Sequence, residues 1–233
     1  MCGLVAATFF GASTPLAKIL LPAAGPVVLA GLLYLGAGTA MVLAGFLPGR
    51  PGIRAARLRK SDLGWLTGIV ILGGIIGPVL MLYGLARVGA VVASLLLNLE
   101  APFTMLLAVF LFGEHMGRAA AGAASIIVAG ATLLSYRPGE LSADWLGVLA
   151  IAGACLCWAA DNNFSQRLSL RDPIAVVRTK ALTAAAGTLS IALAAGEVLP
   201  GPSVIMPALV VGAIGYGISI LAARRQRRAG ARR

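Results

Sequence analysis

The chain has 233 residues, of which 59% are hydrophobic and only 12% are charged, and its mean hydropathy is +0.94. Soluble domains carry about a quarter of charged residues, so this composition excludes that class and predicts an integral membrane protein. The net charge of +11 does not indicate a nucleic-acid partner, because the basic residues lie in short segments between apolar runs.

Apolar stretches of near-span length follow one another along the whole chain. A membrane-spanning helix needs about 20 apolar residues, and we expect the first stretch to remain as a span because no basic segment precedes it. The stretches cover residues 2–21, 26–47, 63–85, 89–112, 118–136, 145–165, 173–195 and 203–222. This pattern predicts an all-α integral membrane protein of about eight transmembrane helices, with no soluble domain.

The basic residues are distributed asymmetrically between the two sides of this arrangement. With the N-terminus inside, 16 of the 19 basic residues fall in the segments 48–62, 113–118, 166–180 and 223–233. Cytoplasmic loops of membrane proteins carry the excess of lysine and arginine. We therefore expect a multi-pass protein of the cell (inner) membrane with both termini in the cytoplasm.

The fourth stretch carries one carboxylate, Glu100, near its middle. A charged side chain at that depth costs about 2.5–3.5 kcal/mol, so it usually faces a bundle interior or a water-filled path. Pro102 lacks an N–H and leaves the carbonyl of Asn98 without its helical donor, which should weaken the helix there and indicates a cavity. Glu100 is a candidate for substrate or proton coupling; the alternative is a structural pair with a donor on another helix.

The polar residues of this stretch lie on two faces. Glu100 and Thr104 share one face, whereas Ser94 and Asn98 share a second face about 160° away. A regular helix does not aim Asn98 and Glu100 at one ligand. Either Pro102 relaxes this constraint, or Asn98 binds a neighbouring helix.

Two other stretches carry polar clusters that are candidate substrate contacts. In the sixth stretch Trp158 precedes Asp161 and Asn162, and the indole beside a carboxylate could recognise a cation or form an interfacial cluster in which Asp161 pairs with a nearby arginine. In the first stretch Ser13 and Thr14 lie beside a proline that frees the Gly11 carbonyl.

Glycines inside the stretches predict close helix packing. Small residues let helix backbones approach each other in lipid. The glycines concerned are Gly31, Gly36, Gly38, Gly68, Gly73, Gly74, Gly77, Gly212, Gly215 and Gly217.

Nothing in the chain assembles into an enzyme or a metal site. The thiols of Cys155 and Cys157 point about 200° apart on a helix, which is poor geometry for one metal, and we expect them to be inert and buried. Cys2 makes no pattern with them. There is one histidine and no phosphate-binding G-x-x-x-x-G-K-[ST] string, so we expect no enzymatic activity, no metal and no cofactor.

An internal repeat relates the first and sixth stretches. At a shift of 148 residues Phe10, Ser13, Thr14 and Lys18 meet Trp158, Asp161, Asn162 and Gln166. The repeat unit has five helices, and an odd number inverts the second copy in the membrane. We predict a five-helix repeat over 1–136, an incomplete three-helix copy over 145–222 (5+3), and a basic cytoplasmic tail over 223–233.

Three strings carry a resemblance to a known family: GASTPLAK, PVVLAGLLYLGAG and LLLNLEAPFTMLLAVFLFGE. They resemble the drug/metabolite transporter superfamily, specifically EamA-type permeases. The resemblance implies ten helices in two inverted halves and movement of small metabolites, often outward. Measured against that pattern, we expect this chain to lack the last two helices, and with them one wall of a central cavity.

These observations lead to two functional hypotheses. The first is a secondary carrier of small organic metabolites that works as an exporter and is linked to protons through Glu100. The second is a transport-inactive remnant or an accessory subunit whose cavity a partner completes, for which a homodimer is one form. The expected partners are a small-molecule substrate and the lipid bilayer.

Overall fold

A computed structural model of the chain describes residues 13–46, 58–135 and 144–215. Regular structure in these ranges is helical and contains no strand, so the all-α prediction is confirmed. The helices in chain order are α1 (13–20), α2 (Pro26–Phe46), α3 (Lys60–Arg87), α4 (Ala90–Phe112), α5 (Arg118–Ser135), α6 (Trp145–Arg167), α7 (Pro173–Ala194) and α8 (Pro202–Gly215). The basic tail 223–233, most of the loop 48–62, Cys2, Gly11 and Gly217 lie outside the described residues.

Five of these helices are long and apolar enough to cross a membrane: α2, α3, α4, α6 and α7. Helix α8 and the Arg118–Gly130 part of α5 are apolar but shorter. Only residues 13–20 of the first predicted span are described as helix. The membrane-protein class is therefore supported by five helices, and the count of eight spans remains a prediction.

Helix α3 changes its winding in the middle. A π-helical segment, Ile69–Ile76, separates the α-helical parts Leu63–Gly68 and Gly77–Arg87. At its end the Gly77 N–H donates to the carbonyl of Leu72, five residues back. Such segments are rare and occur often at functional sites. The amino-acid pattern of this stretch did not predict the π-helical segment.

Helix α4 also has an irregular turn, just before Pro102. Leu97–Leu99 form a 3-10 turn, and the Glu100 N–H donates to Leu97, three residues back. Because Pro102 cannot donate, the helix tightens locally to satisfy its backbone. The predicted weakening beside Pro102 is confirmed.

The end of α4 follows from one glycine. Gly113 has φ 65°, a left-handed conformation that glycine adopts without steric cost. The N–H groups of Gly113 and Glu114 then bond to the carbonyls of Val109 and Ala108 at 3.0 and 3.2 Å. These bonds close the last turn of the helix.

The described residues fall into two compact units, one from 13–46, 58–60 and 169–215 and one from 61–135 and 144–168. The units group helices by packing, with α1, α2, α7 and α8 in the first and α3–α6 in the second. The predicted sequence domains 1–136 and 145–222 follow the repeat instead, and they stay a prediction.

In the first unit, glycines of α2 allow close contact with two other helices, α7 and α8. Gly31 and Gly38 lie against Leu189 and Leu182 of α7. The order of these pairs shows that α2 and α7 run antiparallel.

Helices α2 and α8 meet backbone to backbone. A Cβ on Gly36 would clash with the carbonyl of Leu209, and a Cβ on Gly212 would clash with the carbonyl of Leu33. The predicted glycine seam is confirmed at these positions. At Gly215 a Cβ would meet no atom of the described residues within 4 Å, and the seam stays a prediction there.

In the second unit, α6 packs against both α3 and α4. Gly84 of α3 lies against Ile151 and the Gly147 carbonyl of α6, and Gly68 lies against Phe164. The predicted close packing is confirmed at Gly68. Helix α6 thus contacts both of the helices that carry the irregular turns.

An ion pair links the end of α3 to the start of α6. Arg87 donates to Asp144, and both side chains are about one-third exposed. Asp144 also caps α6 by accepting from the Leu146 N–H at 3.1 Å. The Arg87 guanidinium beside it holds the pKa of the Asp144 carboxyl below its ordinary value.

We expect Asp144→Asn to lower thermal stability slightly at neutral pH, because asparagine keeps the cap but loses the charge. The pKa of Asp144 is lower in the folded than in the unfolded chain. The stabilisation is therefore present above the unfolded pKa of about 3.9 and is lost as the pH falls through the folded value. Melting curves in detergent should separate wild type from variant at neutral pH and converge in acid. Arg87→Gln should show the same dependence on pH. A difference in melting temperature that persists in acid would contradict the ion-pair explanation.

Candidate functional site

Glu100 lies at the contact between α4 and α6. The Asn162 amide nitrogen donates to Glu100 Oε1 at 2.7 Å and approaches Thr104 Oγ1 at 3.5 Å. The Thr104 hydroxyl donates in turn to the Glu100 carbonyl at 2.8 Å. The carboxylate is half-buried and the Asn162 amide is exposed. The structure thus joins two of the predicted site residues directly.

Asn98 does not reach Glu100. Its amide nitrogen donates to the carbonyls of Leu95 and Ser94 in its own helix, at 3.0 and 3.4 Å, and the side chain is exposed. Asn98 lies two residues before Glu100 and on a different face of the helix, as the spacing predicted. A ligand at Glu100 would therefore meet Asn98 only after a rotamer change.

Trp158 and Asp161 face α3 instead of α4. The Trp158 indole N–H donates to the Gly73 carbonyl at 3.2 Å, inside the π-helical segment. Asp161 is only 7% exposed, and a Cβ on Gly73 would clash with its carboxylate. Ser165 donates to Asp161 at 3.4 Å. This pair therefore fixes the irregular part of α3 against α6.

Ser13 and Thr14 belong to the first compact unit. Thr14 is buried at 2% exposure and Ser13 is half-buried. Both side chains precede Pro15 in the described part of α1. Their role as substrate contacts stays a prediction.

Two residues of the α4–α6 contact were missed as functional candidates. Asn163 is 2% exposed and donates to the Thr104 carbonyl at 3.1 Å and to Ala159 at 2.8 Å. The Cys155 thiol donates to the Leu96 carbonyl at 3.5 Å. The string of polar residues after Trp158 was a signal for Asn163, whereas nothing in the sequence marked Cys155 as a donor.

Aromatic side chains cluster where α3 begins and where α4 and α6 end. The ring of Trp65 lies 5.3 Å from that of Phe164 and 6.5 Å from that of Phe112. The Arg167 guanidinium lies 4.3 Å from the centre of the Phe112 ring. Aromatic and basic residues together are typical of a membrane–water interface. This end is the one that the charge distribution assigns to the cytoplasm.

Comparison with known proteins identifies the family of this fold. A model of the EamA-like transporter family matches residues 1–136, more than half of the chain. The chain belongs to the EamA-like transporter family. The match includes α4 and Glu100, so the resemblance seen in the sequence is confirmed.

This EamA-like chain is similar to two other proteins, one compared by sequence and one by structure. It is 30% identical over 180 residues to an "Uncharacterized transporter" of Methanothermobacter thermautotrophicus. The aligned residues cover 71% of this chain and 52% of that protein. The chain thus spans about half the length of that relative. A solved structure described as "Crystal structure of protein" matches with a TM-score of 0.65 at 23% identity, over 95% of this chain and 77% of the other. That likeness concerns the fold alone.

The site consists of hydrogen-bonding side chains on two helices. Within the residues that the structure describes, no group of three or more histidine, cysteine, aspartate or glutamate side chains could hold a metal ion. Hydrogen-bond donors and acceptors are instead paired across two apolar helices. This arrangement can exchange one hydrogen-bond partner for another without covalent chemistry.

Proposed function

We propose that this EamA-like chain acts as a secondary transporter of small organic metabolites by alternating access, with Glu100 as the residue that binds substrate or proton. Outward movement is the direction that the family resemblance implies. We place the protein in the cell (inner) membrane with both termini in the cytoplasm, which the charge distribution supports. Transport, and no enzymatic reaction, is the activity proposed.

The observation that carries this proposal is the Glu100–Asn162 contact at 2.7 Å. Glu100 lies near the middle of α4, a 23-residue apolar helix and the least buried of the five long ones. Polar side chains at that depth are not stable against hydrocarbon. The exposed amide of Asn162, which contacts Glu100, therefore supports a water-accessible surface around the carboxylate.

The free energies of burying the charge and of the hydrogen bond are similar, which fits a site that exchanges its ligand better than a permanent structural contact. An ionised carboxylate at mid-membrane costs about 2.5–3.5 kcal/mol, whereas a hydrogen bond to a charged group contributes about 1.5–3 kcal/mol. The hydrogen bond from Asn162 therefore offsets a large part of the cost of the charge. The charged form of Glu100 is then close in free energy to the form neutralised by a proton or a cationic group, so either can bind and leave. Because Asn162 is exposed, its amide can turn from Glu100 to a bound molecule.

We expect the purified protein to catalyse exchange of a carried metabolite across a sealed membrane. Proteoliposomes preloaded with an isotope-labelled extract of small polar metabolites would be placed in unlabelled extract, and mass spectrometry would follow the labelled compounds that leave. A secondary carrier should exchange a small set of compounds at least about tenfold faster than protein-free liposomes, since alternating access needs no energy source for exchange.

Liposomes that hold a heat-inactivated sample of the same preparation are the control for leakage. Exchange in the active sample alone supports a carrier. Equal release in both, for every compound, would contradict the proposal and favour an accessory subunit without transport of its own.

A further inference from the structure

Helices α4 and α6 are tied at two points on either side of Glu100. Before it, the Cys155 thiol donates to the Leu96 carbonyl at 3.5 Å; after it, the Asn163 amide donates to the Thr104 carbonyl at 3.1 Å. The two donors are eight positions apart on α6, and so are the two acceptors on α4. The helices therefore run parallel with one fixed register over about 12 Å.

The first tie meets the irregular turn of α4. In a regular α-helix the Glu100 N–H would donate to Leu96, but here it donates to Leu97. The Leu96 carbonyl has thus lost its usual α-helical donor, and the Cys155 thiol lies against it. A thiol is a weak donor, yet in a dry contact even a weak hydrogen bond favours one backbone geometry over another.

Burial separates these ties from the Asn162 contact. Cys155 is 0%, Asn163 2% and Leu96 3% exposed, so water cannot readily replace their hydrogen bonds. Asn162, the neighbour of Asn163, is exposed and contacts Glu100 itself. Adjacent asparagines therefore have different surroundings: Asn163 is sealed in the helix contact and Asn162 is accessible.

We propose that Cys155 and Asn163 are positioning residues that clamp α4 to α6 on both sides of Glu100 and hold its carboxylate within reach of Asn162. Helices α4 and α6 then move as one body, and the Asn162–Glu100 contact is the part that exchanges. The consequence for transport rests on the proposed function. The clamp itself can be tested without a substrate.

Infrared spectroscopy of the full chain in lipid nanodiscs reports on both ends of this clamp. In a Cys2→Ala, Cys157→Ala background Cys155 is the one thiol, and its S–H stretch should lie at the lower frequency of a hydrogen-bonded thiol. The matched control keeps Cys157 in place of Cys155, since Cys157 lies on the same helix and is half-buried. A Cys155 band at the frequency of a free thiol would overturn the first tie without any variant that risks misfolding.

The carboxylate of Glu100 provides the second readout, taken as the difference from Glu100→Gln in each background. Cys155→Ser keeps a donor and should leave the Glu100 band unchanged. Cys155→Val and Asn163→Leu remove a donor at similar size, so they should shift the band and reduce proton-driven accumulation, the activity that depends on Glu100, about fivefold. A role in stability alone would lower the melting temperature and leave the band of the folded fraction in place.

The outcomes separate the clamp from the proposed function. A Glu100 band that does not move in either Cys155→Val or Asn163→Leu overturns the clamp, whether or not the protein transports. A band that moves in protein without exchange activity supports the clamp and contradicts the transporter.

Discussion

Gly36→Ala is expected to destabilise the unit of α2, α7 and α8 by about 1–3 kcal/mol, the cost of an overfilled core. The added Cβ would meet the carbonyl of Leu209, which belongs to the backbone of α8 and cannot rotate away. Alanine in a helix normally stabilises by up to about 1 kcal/mol relative to glycine. The clash must therefore outweigh a favourable change in propensity, and the two helices would have to move apart.

Gly45→Ala is the matched control, because Gly45 is in the same helix and a Cβ there would meet its nearest neighbour, the Arg178 guanidinium, only at 3.9 Å. Thermal unfolding in detergent, followed by size-exclusion chromatography, should show a lower midpoint for Gly36→Ala and an unchanged or higher one for Gly45→Ala. Gly212→Ala should act like Gly36→Ala, and the pair should be less than additive because both perturb one contact. Equal midpoints for Gly36→Ala and Gly45→Ala would rule out the backbone contact.

Local sequence was sufficient where covalent structure decides the conformation. The end of α4 at Phe112 follows from Gly113, which can adopt φ 65°, and the tight turn before Pro102 follows from the missing N–H. Both effects act within one helical turn. The residue type alone determines them, so they can be predicted without knowing which helix lies nearby.

Features that depend on a neighbouring helix were not predictable in the same way. Helical spacing gives the angle between Trp158, Asp161 and Asn162, but it does not say which helix lies on each side. The first two residues contact α3 and the third contacts α4. For the same reason the π-helical segment of α3 and the hydrogen bond from the Cys155 thiol to the Leu96 carbonyl were not predicted.

Glu100→Gln is expected to abolish proton-driven accumulation while preserving exchange. Glutamine has the shape of the glutamate side chain, and its carbonyl oxygen can still accept from Asn162, so the α4–α6 contact should persist. It cannot, however, bind and release a proton between pH 5 and 8. A carrier with this change should therefore move substrate only down its own gradient.

Glu114→Gln is the matched control for this variant. Glu114 lies two residues after Phe112, the last residue of α4, and is exposed. Among the hydrogen bonds of the described residues, none joins Glu114 to α6. Removing its charge changes the net charge of the protein by the same amount. Any effect common to both variants then reflects surface charge, and an effect of Glu100→Gln alone reflects the site.

The most direct test of the account is uptake driven by an imposed pH gradient, measured in proteoliposomes with a compound identified by exchange. Wild type and Glu114→Gln should accumulate it above equilibrium, and Glu100→Gln should reach equilibrium but not exceed it. Accumulation by Glu100→Gln equal to that of wild type would contradict the assignment of Glu100 as the coupling residue.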